Sequence, residues 1–258
     1  MSTTAEPVQV DVTLRGNVGE FAGDYTRRKI TQALTVARGP VLWVNVVLNW
    51  RHDPAVARHA AAEASAHVDG HVVRARTTAP TMTEAVDSLE YRLRRQLVHL
   101  QERDLARHRW TGVAADRVWR HGDLPRRPVH YFPRPEESRE VVRRKSFAST
   151  PMTIDEAAYE MDLLDHDFFL YRDVSSGCPA LVHRLVDGGY GVQGVASDGT
   201  VATVSYDPPP PSLSDAQART RLEADSEPFV FYVDAGTGCG HVLYHRYDGH
   251  YGLIELTG

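Results

Sequence analysis

The chain has 258 residues, 42% of them apolar, and its 29 basic and 34 acidic side chains give a formal net charge of −5. That length holds one or two ordinary domains, or one domain followed by small modules, each with a packed core. No stretch approaches the ~18 uninterrupted apolar residues of a membrane helix, and Met1-Ser-Thr-Thr-Ala-Glu-Pro7 lacks the basic start and apolar core of a secretory signal. The expected location is therefore the cytoplasm, with no membrane contact.

The net charge conceals an asymmetry. Residues 1–110 carry 15 basic and 12 acidic side chains (net +3), 111–145 carry 9 and 5 (net +4), and 146–258 carry 5 and 17 (net −12). A basic front and an acidic rear suit one end on nucleic acid and the other on protein. Lysine occurs only at Lys29 and Lys145, against 27 arginines. The two cysteines, Cys178 and Cys239, are expected as free thiols buried beside turns, because a reducing cytosol disfavours disulfides.

In chain order, Val8 to Arg15 alternates apolar and polar side chains as a half-buried strand does. Gly16-Asn-Val-Gly19 turns it into a helix over about Glu20 to Ala37, which Gly39-Pro40 ends. Val41 to Leu48 is expected as a buried strand. The next segment, Ala55 to Val68, has helical propensity. Yet Asp69-Gly70 between extended runs is a strong hairpin signal, and it predicts two strands. From Thr83 onward Met82, Val86, Leu89, Leu93, Leu97 and Leu100 trace the core face of a long helix. Residues 107–140 hold Pro125, Pro128, Pro133 and Pro135 among arginines and read as a linker. Its Trp110, Trp119, Tyr131 and Phe132 fit stacking on RNA as well as docking on the protein itself.

The remainder is an internal repeat. Pro151 to Val192 aligns with Ser212 to Leu253 without a gap at an offset of 61 residues, with identities at Ala157/Ala218, Phe168/Phe229, Tyr171/Tyr232, Asp173/Asp234, Gly177/Gly238, Cys178/Cys239, Asp187/Asp248, Gly188/Gly249, Tyr190/Tyr251 and Gly191/Gly252. Thr153 with Glu156 and Ser214 with Gln217 are both capping boxes. Each copy reads β-α-β-β-β, and Val141 to Lys145 maps onto Ala202 to Tyr206. Ser197-Asp198-Gly199-Thr200 predicts a hairpin that joins the last strand of copy one to the first of copy two. The fold class is thus α+β: a β-α-β-β-β-α domain in residues 1–106, a linker in 107–140, and repeats in 141–197 and 198–258.

Phe147, Met152, Glu156-Ala157, Met161, Leu164, His166-Asp-Phe-Phe169, Tyr171-Arg172 and Asp248-Gly-His-Tyr-Gly-Leu-Ile-Glu255 resemble the C-terminal domain of long-form ribosome hibernation promoting factors, the family also labelled ribosome-associated translation inhibitor or sigma-54 modulation protein. Met82, Ala85, Asp87, Arg92, Leu93, Arg95, Gln96 and Leu97 match the M-x-x-A-I-D-x-x-x-x-K-L-x-R-Q-L helix of that family's N-terminal domain. The following lysines of the family are thinned here to His99 and Arg103. The resemblance implies that this C-terminal domain is a small dimerising domain, and its duplication here resembles an actinobacterial, hypoxia-associated branch.

The resemblance implies a non-enzymatic factor that occupies the messenger and transfer-RNA path of the small ribosomal subunit, blocks translation and stabilises idle ribosomes under stress. The alternative is an RNA-binding or transcription-linked adaptor acting off the ribosome. The expected rRNA-binding residues are Arg15, Arg27, Arg28, Lys29, Arg74, Arg76, Arg92, Arg95, His99 and Arg103, since phosphate oxygens call for several forked donors on one face. The two repeats are expected to pair within one chain, with Phe168, Phe169, Tyr171 and Tyr190 facing Phe229, Phe231, Tyr232 and Tyr251. A pairing surface filled in this way predicts single ribosomes, not joined pairs.

No catalytic arrangement emerges. Asp165-His166-Asp167 becomes Ser226-Glu227-Pro228 in copy two and reads as a polar turn. Gly236-Thr-Gly-Cys-Gly240 lacks the Lys-Ser/Thr of a phosphate loop and reads as a hairpin turn. His59, Glu63 and His67 fall at alternating strand positions with no metal-ligand pattern around them. No cofactor, metal or small-molecule substrate is expected.

Overall fold

The computed structural model describes residues 8–50, 59–109, 134–186, 189–195, 204–225, 227–246 and 248–257, with side chains of 102–109 excluded. The chain divides into two compact units, one of residues 1–113 with 162–165 and the other of residues 114–161 with 166–258.

The first unit runs β1 (Val10–Arg15), α1 (Ala22–Leu34), β2 (Val41–Trp50), β3 (Ala60–Val68), β4 (His71–Ala79), α2 (Met82–Arg109). Its sheet has the order β1-β2-β3-β4, with β1 and β2 parallel and the other pairs antiparallel. The β3–β4 hairpin turns on Asp69 (φ 49°) and Gly70 (φ 81°), the pair of positive φ values that a tight two-residue turn requires. Strand periodicity gives the sheet one apolar face. Val44, Val46, Leu48, Ala62, Ala64, Ala66, Val73 and Ala75 are buried there, together with Ile30 and Ala33 of α1 and Leu89, Leu93 and Leu97 of α2. The small side chains along β3 explain its helical look in sequence. Alanine favours helices in isolation, but here it lets α2 approach the sheet. β2 is not the fully buried strand expected, since Leu42 is 68% and Trp43 37% exposed while Val44, Val46 and Leu48 alternate inward.

The second unit opens with a 3-10 turn at Glu136–Ser138 and continues β5 (Val141–Ala148), α3 (Ile154–Leu163), β6 (Phe168–Arg172), β7 (Pro179–Arg184), β8 (Tyr190–Gln193), β9 (Val204–Tyr206), β10 (Ser212–Leu213), α4 (Asp215–Asp225), β11 (Phe229–Asp234), β12 (Gly240–His245) and β13 (Tyr251–Thr257). Both capping boxes form: the Glu156 amide donates to Thr153 Oγ1 at 3.3 Å and the Thr153 amide to Glu156 Oε2 at 2.9 Å, with Gln217 and Ser214 repeating the exchange. Asp173 and Asp234 accept amides two or three residues ahead and build the turns after β6 and β11, each with a positive-φ glycine, Gly177 or Gly238. Both cysteines are free thiols; Cys178 is exposed and Cys239 half-buried, because the turns that carry them stand out from the sheets.

Strand order departs from the expected tandem arrangement. One sheet is β6-β7-β8-β9 and the other β10-β11-β12-β13-β5. The leading strand of each half thus completes the sheet of the other half. β5 lies parallel to β13 and β9 parallel to β8, with Tyr190 opposite Val204. The turn foreseen at 197–200 lies outside the described residues; β8 and β9, which pair in parallel, do not form a hairpin with each other.

The shared Tyr-Gly motif has a steric reason. Gly191 lies opposite His183 and Gly252 opposite Tyr244, and a Cβ on either glycine would fall inside the facing ring. We expect Gly252→Ala to lower stability by about 1–3 kcal/mol, the cost of overpacking. The midpoint of urea unfolding measures this, and an unchanged midpoint would mean that Tyr244 swings away freely.

Candidate nucleic-acid interface and repeat-pairing core

In the first unit both helices cover one face of the sheet, and the predicted basic residues divide between that side and the opposite one. Arg27, Arg28 and Lys29 lie on α1, and Arg92, Arg95, His99 and Arg103 on α2; the Arg103 side chain is outside the description. Arg15, Arg74 and Arg76 alternate with core residues on β1 and β4, so they belong to the helix-free face of the sheet. They do not extend the α2 row, although the edge position of β4 lets Arg92 donate to the Arg76 carbonyl at 3.2 Å. Spacings of three and four residues put Arg92, Arg95, His99 and Arg103 on one flank of α2, away from the buried row of Leu89, Leu93 and Leu97. The first three are half-buried, while Arg15, Arg27, Arg28 and Arg76 are exposed.

Lys29 has a different employment. Its Nζ lies 2.7 Å from Asp87 Oδ1, to which Tyr25 Oη also donates at 2.6 Å, so α1 and α2 are clasped through one carboxylate. Hydrogen bonds from Lys29 and then Tyr25 hold Asp87 below the usual carboxylate range. Sequence matching marked Asp87 as part of a motif; its task is to join the helices, which no local pattern reveals. The helix-free face adds Trp43, whose ring lies 6.0 Å from that of His67, to Arg74 and Arg15. Forked donors with an exposed aromatic suit phosphate and base contacts. Trp110, Trp119, Tyr131 and Phe132 lie outside the described residues.

In the second unit, strand alternation sorts the eight aromatics predicted to pair. Phe168, Phe229 and Phe231 point between the two sheets, where they join Leu170, Leu181, Val242 and Leu256, with Phe147 and Ile254 at the margin. The rings of Phe168 and Phe229 are 4.7 Å apart. Phe169, Tyr171 and Tyr190 occupy instead the core beneath α3, and Tyr232 and Tyr251 the core beneath α4. Neighbouring residues of a strand face opposite ways, so Phe168 and Phe169, or Phe231 and Tyr232, cannot share a surface. What the sequence reading missed between the sheets was aliphatic: Leu170, Leu181, Val242 and Leu256.

A polar cluster fastens the entry to β5. Arg139 and Tyr251 both bond to Glu223 of α4. Burial pushes Glu223 upward, but the bonds from Arg139 and Tyr251 outweigh it and leave the carboxyl below its ordinary range. Tyr251 is pushed up to about 12 by burial and by Glu223. A carboxylate whose folded pKa is depressed stabilises above its unfolded value, near 4.5, and loses that contribution as pH falls through the lower folded value. Wild-type melting temperature should therefore drop more steeply between pH 5 and 3 than that of Glu223→Gln. Parallel curves would show that Glu223 contributes nothing to acid sensitivity.

Residues 10–104 match the sequence model of the family described as Sigma 54 modulation protein / S30EA ribosomal protein, and residues 136–192 match that of Sigma 54 modulation/S30EA ribosomal protein C terminus. Among similar proteins, the Dormancy associated translation inhibitor of Mycobacterium tuberculosis is 31% identical over 159 residues, covering 57% of this chain and 58% of that protein. The Ribosome hibernation promotion factor of Picosynechococcus is 28% identical over 182 residues, covering 69% and 94%. That of Lactococcus lactis is 31% identical over 120 residues, covering 46% and 63%. The chain thus spans about three fifths of the length of the mycobacterial relative. The Thermus thermophilus Protein Y N-terminal domain aligns at a TM-score of 0.31 and 20% identity, covering 36% of this chain and 99% of that one. With one family model matched across the first unit and its C-terminal companion across the start of the second, this chain belongs to the sigma 54 modulation/S30EA ribosomal protein family.

Proposed function

We propose that this protein silences idle ribosomes. Its first unit binds small-subunit rRNA in the path of messenger and transfer RNA through Arg92, Arg95, His99 and Arg103, and thereby blocks translation in the cytoplasm. The reading is supported most by the paired family matches over residues 10–104 and 136–192, together with relatives named for ribosome hibernation and translation inhibition.

The second unit uses its two repeats on each other, and the bound ribosome stays single. Support comes from the apolar cluster that Phe147, Phe168, Leu170 and Leu181 make with Phe229, Phe231, Val242, Ile254 and Leu256, since a surface occupied within one chain is not offered to a second. Sedimentation of a cell lysate through a density gradient tests the main claim. The endogenous protein should travel with ribosomes under growth arrest. Its confinement to the light fractions would favour an adaptor acting off the ribosome.

A further inference from the structure

Asp215 opens α4, Asp234 ends β11 and His241 lies on β12, on the same side of the sheet. One ligand atom from each lies within 4.8 Å of the other two. His241 is only 8% exposed, and its buried Nδ1 has no hydrogen-bond partner. That nitrogen is 3.6 Å from Asp215 Oδ1, too far for a hydrogen bond but close to the ~3.3 Å between neighbouring ligand atoms on a tetrahedral zinc ion. We propose that these three side chains bind a divalent transition-metal ion of the zinc type as a structural clip.

The surroundings already orient the ligands. Tyr232 Oη donates to Asp215 Oδ1 at 2.7 Å, and the Tyr232 ring packs edge-on against the imidazole, with centroids 5.4 Å apart. Thr237 donates its amide and its hydroxyl to Asp234 Oδ1, both at 2.8 Å, and the Gly236 amide adds a third bond to the same oxygen at 3.2 Å, so Oδ2 faces away from the turn. Such outer partners fix metal-binding carboxylates. Arg144 Nη2 approaches Asp215 Oδ2 at 3.3 Å; it is half-exposed, also pairs with Glu255, and can retire to that partner when an ion arrives. Two carboxylates neutralise the ion. An imidazole with so few oxygens suits zinc or its neighbours better than magnesium or calcium.

The first copy supplies an internal comparison. At the matching positions it has Ile154, Asp173 and Ala180, so an apolar pair stands where the second copy has Asp215 and His241. The polar replacements came together on elements that touch. An ion linking α4 to β11 and β12 would supply the attachment that the lost isoleucine no longer gives.

The full-length protein, stripped with chelator and dialysed against zinc chloride, should retain one ion per chain and melt about 5 °C or more higher when zinc is in hundredfold excess over its Kd. Magnesium should do neither. His241→Ala and the double variant Asp215→Ile/His241→Ala should bind zinc at least tenfold more weakly. The double variant restores the pair of the first copy, so it keeps an independently attested packing, and circular dichroism checks its fold. Cys178→Ser/Cys239→Ser should bind zinc as wild type does. Absence of zinc from the wild type, undiminished zinc in the folded double variant, or loss of zinc with the cysteines would each overturn the proposal.

Discussion

Replacing Arg92, Arg95 and Arg103 together by Glu should release the protein from ribosomes while the first unit stays folded. Arg95 and Arg103 are placed by helix spacing on the flank of α2 away from Leu89, Leu93 and Leu97, whereas Arg92 also lies 3.6 Å from the buried Asp165, so circular dichroism of the variant and an Arg95→Glu/Arg103→Glu double variant separate loss of binding from loss of fold. Each lost phosphate contact removes a released counterion. The slope of log affinity against log salt should therefore become shallower by roughly two to three, and affinity at physiological salt should fall by at least about a hundredfold. Pelleting of purified ribosomes with wild-type and variant protein across a salt series measures both. Retention of the variant at wild-type affinity would move the contact surface elsewhere, with the helix-free face around Arg15, Arg74 and Trp43 as the next place to look.

The second large effect concerns the core between the sheets. Leu181 is fully buried there, and Leu181→Asp would place an unpaired carboxylate among Phe168, Phe231 and Val242. Burial of an uncompensated charge costs several kcal/mol, a large share of the stability of a unit this size. We expect the two sheets of the variant to separate, seen as binding of an apolar dye and loss of near-ultraviolet dichroism. The unaltered fragment 134–258 should be monomeric in sedimentation equilibrium, and idle ribosomes bound by the whole protein should run singly. A tight homodimer of that fragment, or a ribosome-pair peak that depends on the protein, would sink the single-ribosome reading.

Local pattern carried the elements well and their partners poorly. The Asp69-Gly70 turn, the capping boxes at Thr153 and Ser214 and the buried row of α2 are consequences of neighbours within four residues, and all were readable. The exchange of β5 and β9 was not, because alternation says which side of a strand is apolar and never which sheet edge receives it. Strand parity divides the aromatics: the face between the sheets takes Phe168 and Phe231, while Phe169 and Tyr232 turn the other way, into the cores beneath α3 and α4. Across the two repeats Asp215 stands where copy one has Ile154, a replacement that local pattern alone does not explain. Only the fold shows Tyr232 and His241 waiting for it from two other strands.

The exchanged strands also set a timetable for synthesis. Val141 leaves the ribosome 110 residues before Tyr251, beside which it will lie. At about 5–20 residues per second that is a wait of roughly 5–20 s, and the sheet begun by β6, β7 and β8 keeps an open edge until β9 emerges. Open edges recruit strands from other chains. Arg143-Arg144-Lys145 in the middle of β5 answers that hazard, since three adjacent cations repel a second nascent copy of the same strand, and one of them, Arg144, later meets Glu255 across the finished pairing. The charge that protects the strand while it waits is the charge that greets its partner.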